Sequence, residues 1–579
     1  MDHSLTKIKK DTYLFDLKNK VIVQLKISGV AADIKGVYGP YKNFMKFALP
    51  LKNNGKFYLS KIIAARYICL TVNDDDFEKA DIELIDWMRE EKRRTLFTCD
   101  DGLFNDIMKL CGNTLHACLE PHYLGNATIH LQSEQSQKFA KTWHGKTTDY
   151  VIYDGARRDR EVWVGDLLPE IRTVWSVFRD KEVIENTFDV ILCRMSEEGN
   201  IPASSISGCE FLEYNAWFLI AFREYILLSG AKDYLWENYF KLKKIAEFLE
   251  KSMQGGMLVI PQGRTWAWTL SRKGAVTGSN CVLAYAFYIA SLLFKDEKEL
   301  ADHYAALYGE LSALIMEKAF DSERHLLRDT MESGEMRYSL DSNALAIIFQ
   351  IIPESETENV FNAMDSLFYN PYGRTVIYPK EPLKNENWVH NEHVWPFCVS
   401  MQVEALLKCG YIDRAIALVH QTWGAMVTEG ADTCWEIIDG KTGKFMSRRL
   451  VEAEDDRDTW NSACHGWSAG LQHLFERYVA GIVPETYGYQ ICAFKPDFGS
   501  FRKISADIAT GYGDISLRVD KKEGGYQIEL TVPKDCFLHC ECKNLFTESR
   551  GIISLGCRMV SGKYFFAEEA VCNSVSKIQ

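Results

Sequence analysis

The segment 153–166, YDGARRDREVWVGD, is the densest group of titratable side chains in the sequence. Its carboxylates include Asp154, Asp159 and Asp166, interleaved with three arginines and Trp163. Positioned carboxylates are common carriers of acid-base chemistry. In the alternative interpretation these residues are only structural. Asp166 is then the N-cap of a helix that begins at the next residue, and Trp163 is a core residue. The other charged side chains form ion pairs in a solvated loop.

A second carboxylate, Glu436, lies in an apolar run within the segment 423–440, WGAMVTEGADTCWEIIDG, directly after Trp435. A carboxylate among apolar residues is costly unless it is paired or functional. An ordinary glutamate at the edge of an element is the alternative interpretation.

Two further segments add a histidine and aromatic rings. SACHGWSAG, residues 462–470, contains His465, although a single histidine in such a place is more often structural than catalytic. RTWAWT contains Trp266 and Trp268, of which we expect one ring to face a ligand and the other the core.

Helical periodicity determines where these segments must lie. Apolar residues at 3.6-residue spacing predict about twelve helices, beginning near residues 102, 166, 182, 212, 233, 277, 297, 341, 356, 392, 412 and 461. Long connections at about 119–165, 196–211, 252–276, 319–340, 368–391 and 427–460 alternate with short ones. In antiparallel hairpins every second connection emerges at the same end, so the long ones share one end.

Six hairpins predict an (α/α)6 toroid. The alternative is an open α-solenoid, but the helices show no sequence repeat at a fixed period. All four segments described above fall in the long connections. We therefore expect two groups of carboxylates, flanked by aromatic residues, to come together at one end of the helices. Glycoside hydrolysis needs such a pair, one acid to protonate the leaving oxygen and one base to activate water or attack.

Both ends of the chain show the two-residue period of β-strands. Residues 1–95 are predicted to form an N-terminal β-sandwich-like domain, residues 96–482 the six-hairpin domain, and residues 483–579 a C-terminal β-sandwich. The last contains a hairpin in which Ile515, Leu517 and Val519 face Tyr526, Ile528 and Leu530 across the turn sequence KKEGG.

Composition limits the classes of partner that the protein can bind. The net charge of −13 disfavours a nucleic-acid or anionic-membrane surface, and a neutral or cationic partner fits better. Seventeen cysteines without a metal-binding spacing are expected to be free thiols in a reducing compartment, which indicates a cytoplasmic protein, and the first residues lack a signal-peptide core. No cofactor or metal is expected; a homo-oligomer is compatible with the sequence.

Four stretches, in order, resemble glycoside hydrolase family 78, the α-L-rhamnosidases. DGARRDREVWVGD is similar to the family's Asp-Gly-Pro-Lys-Arg-Asp-Arg-x-x-Trp-x-Gly-Asp signature, and WGAMVTEGADTCWE to its Trp-Gly-Gly-Met to Thr-x-Trp-Glu stretch. CHGWSAG and GIVPETYGYQICAFKP are similar to the closing helix and the entry to the C-terminal sandwich. The resemblance covers about residues 95–535.

The resemblance implies an inverting α-L-rhamnosidase with Asp159 as general acid and Glu436 as general base. The sugar site it implies is formed by Asp154, Arg158, Trp163, Asp166 and His465. We add Trp268 and Trp435 as expected substrate-binding residues.

The sequence departs from the family pattern at two positions. Ala156 replaces the usual proline, and Ala267 stands where an acidic residue usually precedes Trp268. These positions bear on sugar specificity. A six-hairpin hydrolase for another sugar is therefore one alternative, and a degenerate protein that binds sugar without cutting it is the other.

Overall fold

The computed structural model describes most of the chain. The described residues are 4–9, 11–29, 34–39, 47–49, 51–60, 63–72, 81–89, 97–122, 149–156, 159–207, 209–266, 272–332, 334, 336–379, 393–446, 461–549 and 551–567. They contain twelve α-helices between two sets of β-strands.

The twelve helices form an inner and an outer set of six. The inner helices are Leu167–Phe178 (α2), Leu212–Ser229 (α4), Thr277–Leu293 (α6), Leu340–Ile348 (α8), Pro396–Lys408 (α10) and Leu471–Tyr478 (α12). The outer helices are Gly102–Cys118 (α1), Lys181–Leu192 (α3), Lys232–Lys251 (α5), Lys298–Ala319 (α7), Glu354–Leu367 (α9) and Ile412–Thr428 (α11). Sequence explains the division: α6 has no charged residue and is buried on nearly all sides, whereas α7 is rich in charge and buries one stripe.

The inner helices close a ring. Each of them contacts the next along the chain, and α12 contacts α2. This closure excludes the open solenoid and confirms the (α/α)6 toroid. Among the described helices, none is both long and apolar enough to span a membrane.

Connections from outer to inner helices are long, and those from inner to outer helices are short, as predicted. Backbone bridges join neighbouring long connections around the mouth of the toroid. These bridges are Gly155 with His465, Trp163 with Ser204, Val276 with Thr330 and Val394 with Ile438. The loops that carry the predicted site are therefore fixed to one another as well as to the helices.

Two helices begin several residues later than their periodicity predicts. The tenth, predicted near 392, begins at Pro396, and the twelfth, predicted near 461, begins at Leu471. A 3₁₀ turn, Gly466–Ala469, precedes α12. The backbone before it bonds to other loops, since His465 N donates to Cys434 O at 3.0 Å, and this replaces helical bonding.

The N-terminal strands are joined by hydrogen bonds in one eight-stranded sheet. They are Ser4–Lys9, Thr12–Ser28, Lys35–Gly39, Phe47–Ala48, Leu51–Asn53, Phe57–Ser60, Ile63–Thr71 and Asp81–Asp86. Val23, Leu25 and Ile27, alternate residues of the strand Thr12–Ser28, are buried in a core of their own.

The C-terminal strands form two sheets. Four strands make one sheet: Ile482–Pro484, Ile491–Phe494, Phe537–Cys540 and Arg558–Met559. Six make the other: Thr98–Cys99, Lys503–Thr510, Gly513–Lys522, Gly525–Thr531, Leu545–Thr547 and Gly562–Ala567. The predicted hairpin is present, with Leu517 opposite Leu530 and Val519 opposite Ile528, and Thr98–Cys99 ties the start of the toroid to this sheet.

Candidate active site

Asp154 organises the loop that carries Asp159. It is 1% exposed, and its Oδ2 accepts a hydrogen bond from Asp159 N at 2.9 Å while its Oδ1 accepts one from Glu161 N at 3.1 Å. Its own N–H donates to Glu161 O at 2.9 Å. The Asp154 carboxylate therefore fixes the backbone from which the Asp159 side chain projects.

Arg160, the next residue, has a left-handed backbone with φ +62°. For a residue with a Cβ this conformation costs about 1–2 kcal/mol, so the surroundings must impose it. Its guanidinium contacts the buried carboxylate of Glu120. Burial raises the pKa of Glu120 to about 7, against the opposing charge of Arg160. This buried contact anchors the turn beside Asp159.

The carboxylates of this first loop differ in access. Glu161 is fully buried, and its Oε2 accepts a hydrogen bond from Ser204 Oγ at 2.5 Å. Asp154 and Asp166 are 1% and 3% exposed, whereas Asp159 is 7% exposed. Asp159 is thus the carboxylate of the loop most accessible to a ligand.

Glu436 makes two hydrogen bonds with the backbone of Ser462. Its N–H donates to Ser462 O at 2.9 Å, and its Oε2 accepts from Ser462 N at 2.5 Å. The side chain is 7% exposed, like that of Asp159. The apolar segment around Glu436 is therefore part of a loop that these two hydrogen bonds close, and its one carboxylate is held in place by them.

Asp166 occupies the N-cap position of α2, but its side chain makes no capping hydrogen bond. Its Oδ2 lies 3.4 Å from His465 Nε2, and both side chains are buried. Burial raises the pKa of Asp166 to about 6; His465 opposes this, and the negative charges of Asp154 and Glu436 add to it. Asp166 therefore lies at the N-cap position without capping the helix through its side chain, which contacts His465 instead.

The segment around His465 joins the two carboxylate loops. Gly466 N donates to Asp154 O at 2.6 Å, and His465 N donates to Cys434 O at 3.0 Å. The first contact binds the Asp159 loop and the second binds the Glu436 loop. Segments separated by about 300 residues in sequence therefore meet at His465.

An aromatic cluster flanks this junction. Trp467 stacks on Phe397 with ring centroids 4.8 Å apart and meets the His465 ring edge-on at 4.5 Å. Trp266 and Trp395 complete the cluster, 6.2 Å and 5.9 Å from Trp467. The buried Nε1 of Trp467 has no hydrogen-bond partner within the described part of the chain, so it remains a donor for a ligand.

The two tryptophans named with the carboxylates have different environments. Trp163 is half-buried, and its ring packs 6.2 Å from that of Phe211 and edge-on to Tyr214. Trp435 is 1% exposed and meets Phe445 at 5.7 Å. Its ring is almost fully covered by the protein, whereas we expected it to contact a substrate.

Some predicted positions lie outside the described residues. These are Arg158, Trp268 and the substituted position Ala267. Ala156, the other substituted position, is fully buried. Its methyl group therefore packs in the interior of the loop.

Glu170 was not singled out from the sequence. It is fully buried, one helical turn after Asp166, and neither carboxyl oxygen has a hydrogen-bond partner in the described structure. Burial raises its pKa well above the usual range, helped by the charges of Asp166 and Asp154. The i, i+4 spacing from Asp166 was the available signal.

The carboxyl group of Glu170 leaves no room for a side chain at Gly466. A Cβ at position 466 would lie 2.1 Å from Glu170 Oε1, much closer than any real contact.

The described residues contain no group of three or more His, Cys, Asp and Glu side chains placed to hold a metal ion. The arrangement is thus one of carboxylates, a histidine and aromatic rings.

Neither a protein-family model nor a curated protein matches the sequence. Solved structures do match. A family GH78 rhamnosidase of Bacillus sp. GL1 superposes with a TM-score of 0.70 at 17% identity, over 93% of this chain and 54% of that chain. The α-L-rhamnosidase of Dictyoglomus thermophilum gives a TM-score of 0.68 at 15% identity, over 98% of this chain and 63% of that one.

A rhamnosidase of Klebsiella oxytoca with rhamnose bound is also similar, with a TM-score of 0.59 at 17% identity, over 82% of this chain and 88% of that chain. The chain thus spans between about half and nine-tenths of the length of these relatives. It has the fold of the GH78 rhamnosidases, an (α/α)6 toroid with β domains.

Proposed function

We propose that the protein is a glycoside hydrolase that releases terminal α-L-rhamnose from oligosaccharides or other glycosides with inversion of configuration. One observation carries the proposal: Asp159 and Glu436 are presented by separate loops that meet at His465, next to an aromatic cluster. The motifs and the fold shared with rhamnosidases support rhamnose as the sugar. Fold alone names no substrate, so the sugar is the part most in need of a test.

In the proposed reaction Asp159 gives its proton to the glycosidic oxygen as the bond to the anomeric carbon breaks. A water molecule attacks that carbon from the opposite face, and Glu436 takes the proton that the water loses. Asp154 and Ser462 keep the two carboxylates in place through the hydrogen bonds described above. No cofactor takes part in these steps.

We assign the remaining side chains to sugar binding or to its support. Asp166 and His465 act as a hydrogen-bonding pair, and Trp163 forms part of the wall. Asp154 lines the site beneath the acid, and Arg158 and Trp268 are retained from the sequence motifs. Trp435, which directly precedes Glu436 in the sequence, is assigned to the support of that residue. The indole N–H of Trp467, which has no partner among the described residues, donates to a sugar hydroxyl.

The cysteines support a reducing compartment. Every described cysteine is a free thiol, including Cys540 and Cys542, whose sulfurs lie 3.6 Å apart. We therefore place the enzyme in the cytoplasm.

The test is a screen of nitrophenyl glycosides with wild type, Glu436→Gln and a matched control, Glu429→Gln, which alters an exposed glutamate of the same connection. We expect α-L-rhamnoside to be the preferred substrate. Glu436→Gln should fold normally and lose about 10² to 10⁴ in turnover, because no other group activates water. The control should match wild type.

The alternatives predict other outcomes. Preference for a different glycoside would keep the mechanism but replace the sugar. Near-wild-type turnover in Glu436→Gln would remove Glu436 from the mechanism. Saturable rhamnose binding without hydrolysis of any glycoside would instead indicate the degenerate sugar-binding protein.

A further inference from the structure

Trp266 lies in the third long connection, and both of its N–H groups donate to buried carboxyl groups. Its backbone N–H donates to Glu213 Oε1 at 2.6 Å, and its indole Nε1–H donates to Asp341 Oδ2 at 3.0 Å. Glu213 and Asp341 are each 1% exposed. The main chain and the ring of Trp266 are therefore held by two different residues.

Both carboxyl groups come from the first turn of an inner helix. Glu213 is the second residue of α4, and Asp341 is the second residue of α8. The partial positive charge at a helix N-terminus favours an acidic side chain in this turn. Ser279, in the first turn of α6, donates a hydrogen bond to Glu213 Oε2. Three consecutive inner helices thus hold Trp266 at the mouth of the toroid.

Arg272 keeps the Asp341 side chain charged. Its Nη1 and Nη2 each donate to a different oxygen of Asp341 at 2.8 Å. Burial acts to raise the pKa of Asp341, but the charge and the hydrogen bonds of Arg272 hold that pKa below its usual value. The Arg272 guanidinium carbon also lies 5.7 Å from the centroid of the Trp266 ring. The indole N–H of Trp266 therefore donates to an anion, and such hydrogen bonds are stronger than neutral ones.

The Trp266 ring packs edge-on against the aromatic cluster beside the proposed site. Its centroid lies 5.3 Å from that of Phe397 and 6.2 Å from that of Trp467, at interplanar angles of 71° and 85°. Trp467 stacks on Phe397, and its buried Nε1 has no hydrogen-bond partner among the described residues. A fixed ring against both partners of this stack restrains the direction in which the Trp467 N–H points.

We propose that Asp341 and Glu213 are positioning residues of the sugar site, which hold Trp266 and through it orient Trp467 for its hydrogen bond to the sugar. The inference rests on the proposed function, because it requires that the sugar binds beside Trp467. Both carboxyl groups act at a distance from the sugar, since each is buried and bonded to Trp266.

Trp266→Phe tests this role while leaving the ion pair between Asp341 and Arg272 in place. The variant keeps an aromatic ring and loses the indole N–H. In steady-state hydrolysis of nitrophenyl α-L-rhamnoside we expect KM to rise about two- to tenfold, the worth of one hydrogen bond, with kcat near the wild-type value. The sugar contact is present in the bound substrate and in the transition state alike, so its loss affects KM. The matched control is Trp236→Phe, the same change at a tryptophan that is 55% exposed on α5.

Two further comparisons separate positioning from a general effect on folding. Asp341→Asn weakens the same hydrogen bond, so it should raise KM in the wild-type background and have little further effect in Trp266→Phe. Glu213→Ala should also raise KM. Glu213→Gln keeps the oxygen that accepts the Trp266 backbone N–H, so it should recover most of the affinity that Glu213→Ala loses.

The inference is overturned if these variants have the KM of the Trp236→Phe control. It is also overturned if kcat falls while KM stays at the wild-type value, because that pattern indicates less folded enzyme and not a misplaced sugar contact. Failure of the wild-type protein to hydrolyse the rhamnoside is a different result, which would overturn the proposed function and this inference with it.

Discussion

Asp159 and Glu436 are held in different ways, which suits different roles. The carboxylate of Glu436 accepts a hydrogen bond from the backbone N–H of Ser462. Asp159 is placed through its backbone, whose N–H donates to the Asp154 carboxylate. The proposed base is thus held at its carboxylate, and the proposed acid at its main chain.

Asp159→Asn tests the role of acid. The variant cannot protonate the leaving oxygen, so rhamnosides with poor leaving groups should lose far more turnover than activated aryl rhamnosides. The measurement is the ratio of kcat/KM values for the two substrate types. The control is Asp302→Asn, an exposed aspartate of α7, which should leave the ratio unchanged. Equal losses on both substrates would point to Asp154 or Asp166 as the acid.

Asp166→Asn should alter the pH dependence of stability. Because the folded pKa of Asp166 is raised to about 6, its stabilising contribution is present at acid pH and is lost as the pH rises through that value. An asparagine does not titrate. The free energy of unfolding of the variant should therefore gain on wild type by roughly 1 kcal/mol between pH 5 and pH 8.

Denaturant unfolding at several pH values measures this difference, with Asp302→Asn again as the control. The control should run parallel to wild type across the range. Parallel curves for Asp166→Asn and wild type would mean that Asp166 ionises as easily in the folded as in the unfolded chain.

Residue types and spacing predicted the candidate site, and the roles of Asp159 and Glu436 came from the resemblance to a family. The spacing of Asp154, Asp159 and Asp166 marked the loop, and the apolar surroundings of Glu436 marked the second carboxylate. The contact between Asp166 and His465 joins residues about 300 apart, and no local pattern encodes it. For the same reason Glu170 passed as an ordinary helix residue.

At the scale of elements, the 3₁₀ turn that precedes α12 depends on the close contact between Gly466 and Glu170 rather than on helix propensity. Gly466→Ala should cost about 1–3 kcal/mol of stability, because its Cβ would overlap Glu170 Oε1. In a Glu170→Ala background the cost should be much smaller. A double-mutant cycle of unfolding free energies measures the coupling.

The control is Gly309→Ala in α7, where an added Cβ meets no atom within 4 Å. It should stabilise the helix by up to about 1 kcal/mol. An equal cost of Gly466→Ala in both backgrounds would show that Glu170 is not the residue that excludes a side chain at 466.

Helix periodicity predicted most of the element boundaries because both helix sets carry strong apolar patterns. The starts of α1, α4, α6 and α11 agree with the predicted residues 102, 212, 277 and 412. The prediction was poorest at α12, where glycines and loop-to-loop hydrogen bonds replace the first helical turns. Those bonds are long-range, so a local pattern does not report them.

At the scale of the whole molecule, the alternation of long and short connections was sufficient to predict the toroid. Its closure through α12 and α2 brings the first and last long connections together, which places Asp159 and Glu436 at one mouth.

The central claim is that these two carboxylates act from separate walls of the mouth, with a water molecule between the base and the sugar. Such a reaction inverts the anomeric centre, whereas a covalent double displacement, with the carboxylates only about 5–5.5 Å apart, retains it. Proton NMR of an α-L-rhamnoside reaction in its first minutes, before mutarotation, distinguishes the two directly. The account predicts that β-L-rhamnose appears first; initial release of the α-anomer would contradict both the mechanism and the role of Glu436.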